Sequence, residues 1–107
     1  MTRYVHLVQK EGEELRDASM SDQKLRQSLD ELRSELERLE AEEAQVRDRL
    51  DALISGVEMR LEKPEDASHH QTLVEDVRQS ISQFEVSHPR ATAILNEIMV
   101  TLGNMGI

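Results

Sequence analysis

From Leu25 onward the apolar residues fall at Leu25, Leu29, Leu32, Leu36 and Leu39, then at Val46, Leu50, Leu53 and Val57. The spacing alternates four and three without a slip, and Glu43 takes the one position where an apolar residue is missing. A strand buries every second residue and cannot use such a pattern, whereas a helix gathers positions three and four apart onto one face. The positions between are rich in Glu, Arg, Gln and Ala, all good helix formers. Arg33 with Glu37 and Glu43 with Arg47 add weak support four residues apart. The segment reads as one coiled-coil-like helix over residues 22–59, capped by Asp22 and bracketed at its end by Gly56 and Pro64. At 1.5 Å per residue it is roughly 50 Å long.

Composition narrows what such a helix serves. The chain has no cysteine, which excludes disulfides, thiolate metal sites and cysteine nucleophiles. Its formal net charge of -9 opposes binding to nucleic acid through phosphate neutralisation, and one Tyr and one Phe offer little for base stacking. No apolar run approaches the roughly 18 residues of a membrane span. Met1–Lys10 lacks the sustained apolar stretch of a secretory signal, so cytoplasm is the expected location. Residues 1–66 carry 11 basic and 18 acidic residues, against 2 and 4 in residues 67–107. The first part is highly charged and the second more apolar.

Residues 1–21 form an N-terminal extension with a short apolar cluster at Tyr4, Val5, Leu7 and Val8. Met20 is as good a native start as Met1, in which case residues 1–19 lie upstream of the natural chain. Residues 60–67 read as a polar connector. Ser68–Gln71 fits a capping box that opens a second helix, with Leu73, Val74, Val77, Ile81 and Phe84 on one face. Glu85–His88 is a tight break, and Pro89 suits the first turn of a third helix. Ala91, Ile94, Leu95, Ile98, Met99, Leu102 and Met105 line that helix, and Gly103 and Gly106 end it. Residues 68–107 thus form a C-terminal helical hairpin, and the fold class is all-α.

The run Phe84-Glu85-Val86-Ser87-His88-Pro89, together with the ending Ile98-Met99-Val100-Thr101-Leu102-Gly103-Asn104-Met105-Gly106-Ile107, resembles the signature of a family of short, acidic, helical bacterial proteins. The resemblance covers residues 23–107. That family is known only as a domain of unknown function, so it implies a helical fold and no activity, cofactor or partner.

Length sets the expected architecture. Two helices of about 16 residues are roughly 24 Å long, half the reach of the first. A hairpin turning back at the end of helix 1 covers only Val46, Leu50, Leu53 and Val57. Leu25, Leu29, Leu32, Leu36 and Leu39 are then left bare, and each is worth roughly 1.5–3 kcal/mol when buried. A second copy of helix 1 is the simplest cover, so a homodimer through this arm is expected. The competing geometry lays helices 2 and 3 end to end along helix 1 and covers the stripe within one chain.

The polar residues support bland readings. His69 and His70 are adjacent, too close in sequence to share a helical face as ligands, and read as solvated residues of a first turn. His88 reads as part of a turn and cap with Phe84, Ser87 and Pro89, rather than as an acid/base group with Glu85. Glu35, Glu37, Glu40, Glu42 and Glu43 alternate with Arg33, Arg38, Arg47 and Arg49, the mark of a solvated helix surface. Met99, Met105 and Ile107 read as core packing rather than as a binding patch. The expectation is a non-enzymatic self-association or protein-interaction module without cofactor or metal, with an unidentified protein as a further partner. The alternative is an acidic regulator that binds a basic partner or mimics nucleic acid.

Overall fold

A computed structural model describes the backbone of residues 2–105 and the side chains of residues 20–105. Four helices follow one another: α1 (Thr2–Arg38), α2 (Ala44–Glu62), α3 (Ala67–Phe84) and α4 (Pro89–Met105). A single 3-10 turn, Ala41–Glu43, precedes α2, and no strand occurs among the described residues. None of these helices is long and apolar enough to cross a membrane. Gly106 and Ile107, and the side chains of the Tyr4–Val8 cluster, lie outside the described residues.

Each helix packs on two neighbours in a closed ring, α1 on α2, α2 on α3, α3 on α4 and α4 on α1. Neighbours run antiparallel: Arg33 of α1 meets Glu58 of α2, and Arg49 and Arg60 of α2 meet Ser80 and His70 of α3. All four contribute to one core. Leu25, Leu29 and Leu32 come from α1, Leu50, Leu53, Ile54 and Val57 from α2, Leu73, Val77 and Phe84 from α3, and Ile94, Leu95, Ile98 and Leu102 from α4. This is the up-down-up-down arrangement of four helices joined by short connections.

The expected helix over 22–59 is therefore two helices. The chain reverses at Leu39–Glu43 and folds α2 back along α1. The leucines expected to be bare are covered by their own chain: Leu25, Leu29 and Leu32 are 0, 4 and 0 % exposed. Leu36 and Leu39 are partly buried against the same core. The premise of an arm with an uncovered seam is thus overturned, and so is the division into a heptad arm and a separate hairpin. The physical reason is a choice between two ways of hiding one apolar stripe. Closing a five-residue turn is entropically cheaper than recruiting a second molecule.

The reversal is assembled from groups that the helices leave unsatisfied. Arg47 Nη1 in the first turn of α2 donates to the Leu39 carbonyl oxygen at 2.9 Å, supplying a donor to the end of α1. Arg38 in the last turn of α1 suits that helix end, and Glu42 and Glu43 just before α2 suit its beginning.

Three smaller boundaries also differ from expectation. Asp66, not Ser68, caps α3, its Oδ1 accepting from the His69 amide at 3.0 Å. Gly56 lies inside α2 rather than at its end, and α4 runs past Gly103 to Met105. Gly56 faces α3: a Cβ there would stand 2.8 Å from Leu73 Cδ1. At that distance an added methyl requires the end of the Leu73 side chain to shift, and a larger side chain requires more.

Candidate functional site

The α1–α2 and α3–α4 turns sit side by side at one end of the bundle, and His88 joins them. Its amide donates to the Phe84 carbonyl at 2.8 Å, and its own carbonyl accepts from the Thr92 amide and hydroxyl at 3.0 and 2.9 Å. The backbone of His88 therefore closes α3 and opens α4, with Pro89 in the first helical position. Its ring lies edge-on to Phe84, centroids 5.7 Å apart. Ring Nδ1 is 2.8 Å from Ser87 Oγ, and Nε2 reaches Glu43 Oε2 at 2.6 Å. Phe84, Ser87, His88 and Pro89 are thus gathered in one turn, and the carboxylate beside His88 is Glu43, not Glu85. The hydrogen bond from His88 holds the Glu43 carboxyl below the usual carboxylate range. Desolvation opposes this, while a backbone hydrogen bond at Glu40 and the His88 charge add to it.

Along the α2–α3 interface, three polar links cross between the helices. Arg49 Nε donates to Ser80 Oγ at 2.7 Å, and its Nη2 to the Asp76 carbonyl at 3.1 Å. Ser80, fully buried, donates a hydrogen bond from its own hydroxyl to that same carbonyl at 2.8 Å. His69 Nε2 lies 2.8 Å from the Gly56 carbonyl oxygen. At the far end Arg60 Nε donates to His70 Nδ1 at 2.8 Å, with both residues buried.

That last pair fixes chemistry. Accepting at Nδ1 requires a neutral imidazole with its proton on Nε2. Burial, then the Arg60 guanidinium, then His69 push His70 below the ordinary imidazole range. Arg60 Nη1 is buried with no partner among the described residues. The expectation of solvated histidines fails here: His70 is 8 % exposed and His69 is half-buried. Helical phase is the reason, since His70 precedes Leu73 and Val77 by three and seven residues and shares their inward face. That phase was readable in the sequence. The Glu43–His88 pairing was not, because the residues are 45 apart and meet only after the chain reverses.

The α1–α4 interface has a different character. No side-chain hydrogen bond or ion pair joins these two helices among the described residues; the leucines of α1 share the core with the apolar face of α4, and buried Ser28 and Thr101 line the groove between them. Two open clefts run along it, of about 480 and 390 Å³. The first is bordered by Lys24, Glu31, Asn96 and Val100, and Val100 is 63 % exposed. A larger cleft of about 710 Å³ follows the α1–α2 groove between Arg26, Arg33, Glu58 and Met59. The ion pair of Arg33 with Glu58 spans that groove at the surface.

Each histidine whose side chain is described is thus committed to holding a helix or a turn. No three metal-ligating side chains converge among the described residues. Residues 25–107 match the family model described as a domain of unknown function, DUF4404. The chain belongs to the DUF4404 family. No curated protein and no solved structure matches it. The matched region of this DUF4404 chain starts at Leu25, the first buried leucine among the described residues, and so spans the four-helix core.

Proposed function

We propose that this DUF4404 protein is a non-enzymatic, cytoplasmic helical module that works by protein–protein association, chiefly with itself. One observation carries the reading: α1 is attached to the bundle almost entirely by aliphatic side chains, whereas α2 and α3 are cross-linked by directional polar bonds. Apolar contact is not tied to particular partner atoms, so a face held this way accepts an equivalent face from another molecule. The histidines among the described side chains support the same reading, since their ring nitrogens serve the fold. The test is sedimentation of the purified chain over a wide concentration range. A dimer that forms with rising concentration and survives high salt is expected. A compact monomer throughout would overturn the reading.

A second reading is favoured by the α1–α2 turn. Glu37, Glu40 and Glu42 are exposed around it and make no ion pair among the described residues. An acidic tip of this kind suits a basic partner protein. Such binding weakens as salt rises, which separates it from association through leucines.

A further inference from the structure

We infer that the α1–α2 turn is a hinge, and that two copies of this chain exchange α1 by straightening residues 39–43 into a helix continuous with α1 and α2. This deepens the self-association reading and rests on it.

The turn carries a pattern that a turn does not need. The alternation of four and three runs through Leu36, Leu39, position 43, Val46 and Leu50 without losing phase. Two helices packed antiparallel across a reversal have no reason to share one register, whereas one continuous helix requires it. The turn residues Leu39, Glu40, Ala41, Glu42 and Glu43 include no Gly, Pro or Asn and are helix formers, apart from the register gap at Glu43. Neither the 3-10 turn nor α2 receives a side-chain cap at its start. The reversal is tied down by Arg47 on the Leu39 carbonyl and by Glu43 on His88. A short 3-10 segment between two α-helices is a common form for a hinge.

The moving element is as replaceable as the hinge is straightenable. Apart from its turn, α1 has one polar tie across to another helix among the described residues, the surface pair Arg33–Glu58. Its buried residues are leucines, with Ser28 beside them, and α1 packs on α2 and α4. In an exchanged dimer, α1 of one copy meets α2 and α4 of the other and remakes every one of those contacts. What changes is local: the Glu43–His88 and Arg47–Leu39 bonds are given up, and the backbone of residues 39–43 gains helical hydrogen bonds. Exchange of one identical element is a low-cost route to a dimer of this kind.

Two substitutions act on the hinge in opposite directions. Glu40 has φ -82° and ψ 164°, the extended conformation that a residue before proline prefers, and Ala41 is the first residue of the 3-10 turn. Ala41→Pro therefore fits the bent chain and forbids the straight one, where a proline clashes with the preceding helical turn. Glu43→Leu does the reverse, since it removes the latch to His88 and fills the vacant seam position. His88→Ala releases the latch without touching the hinge. The variants are compared by analytical ultracentrifugation, with circular dichroism to verify that each is helical. Glu43→Leu and His88→Ala are expected to tighten dimerisation by about tenfold or more. Adding Ala41→Pro to either is expected to return a monomer. Differently tagged copies should also mix slowly, because α1 must leave one bundle before entering another. If the variants carrying Ala41→Pro dimerise as well as their parents, or mixing is immediate, the exchange is wrong while self-association stands. If no variant and no wild-type chain associates, both fail.

Discussion

The two long interfaces on opposite sides of this bundle are built from different physics. Between α2 and α3, Arg49–Ser80, His69–Gly56 and Arg60–His70 run at three levels, and Gly56 leaves room for the Leu73 side chain. Between α1 and α4 no side-chain hydrogen bond or ion pair crosses among the described residues, and the holding falls mainly to aliphatic side chains, with Ser28 and Thr101 buried beside them. Each buried leucine contributes roughly 1.5–3 kcal/mol, more than the ~1 kcal/mol net of a typical hydrogen bond. The polar side is therefore not the stronger one. Its bonds specify register and partner, because a misplaced donor is left unsatisfied, whereas a leucine face tolerates any apolar surface of similar shape.

That contrast predicts where the molecule opens. Leu32→Ala empties a fully buried site and should cost about 2–5 kcal/mol in urea unfolding. Arg49→Ala on the polar side should cost about 1–2 kcal/mol, the loss of one part-buried donor set. The same ranking should appear in reverse in native-state hydrogen exchange. Amides of residues 20–38 are expected to open at lower free energy than those of α2 and α3, although the leucines there are worth more, since α1 has one ordinary polar tie to release. Equal protection on both sides would erase the distinction on which the exchange of α1 depends.

Gly56 tests the other half of the comparison. Gly56→Val places a branched side chain against Leu73, which is itself buried, and should destabilise by about 1–3 kcal/mol. Gly56→Ala gains up to about 1 kcal/mol of helix propensity against a smaller clash and should fall near neutrality. A thermal melt of the two variants separates these outcomes. If valine is as benign as alanine, the close approach of α2 and α3 is not a constraint, and the polar bonds alone set their register.

How far the sequence reveals this molecule follows the same division. The apolar periodicity of α3 and α4 is legible, because Leu73, Val77 and Phe84, and Ile94, Leu95, Ile98 and Leu102, carry their spacing in short, well-bounded segments. The leucines of α1 are legible as buried residues, but not what buries them. The reversal at Leu39–Glu43 has no turn chemistry to announce it; its one sign is a Glu at a seam position, and helix propensity argues against it. Tertiary burial overrode local preference. Asp66 won the cap over Ser68 because the helix begins two residues earlier than the capping-box pattern places it. Glu43–His88 and Arg60–His70 are long-range consequences of that fold, and no short motif encodes them.

The smallest expected effect is a pH dependence confined to the polar side. His70 is neutral in the folded chain because Arg60 donates to its Nδ1 in a buried place, so its folded-state pKa lies below the ordinary imidazole value. A group whose pKa is depressed by folding contributes stability that is complete above its unfolded value, about 6.5 for histidine. That contribution shrinks as pH falls toward the folded value, because the unfolded chain takes the proton first. The charged groups that face it, Arg60 and His69, act in the same direction as burial. Lowering pH from about 7 to about 5, across the ordinary imidazole range, should therefore reduce the urea midpoint of the wild type more than that of His70→Gln, which has no proton to gain. The loss should fall on the amides of α2 and α3 near Arg60 and leave the leucine contact of α1 with α4 unchanged, since no titratable bond crosses it. Acid that loosens α1 first would mean that the polar links hold the whole ring, rather than one side of it.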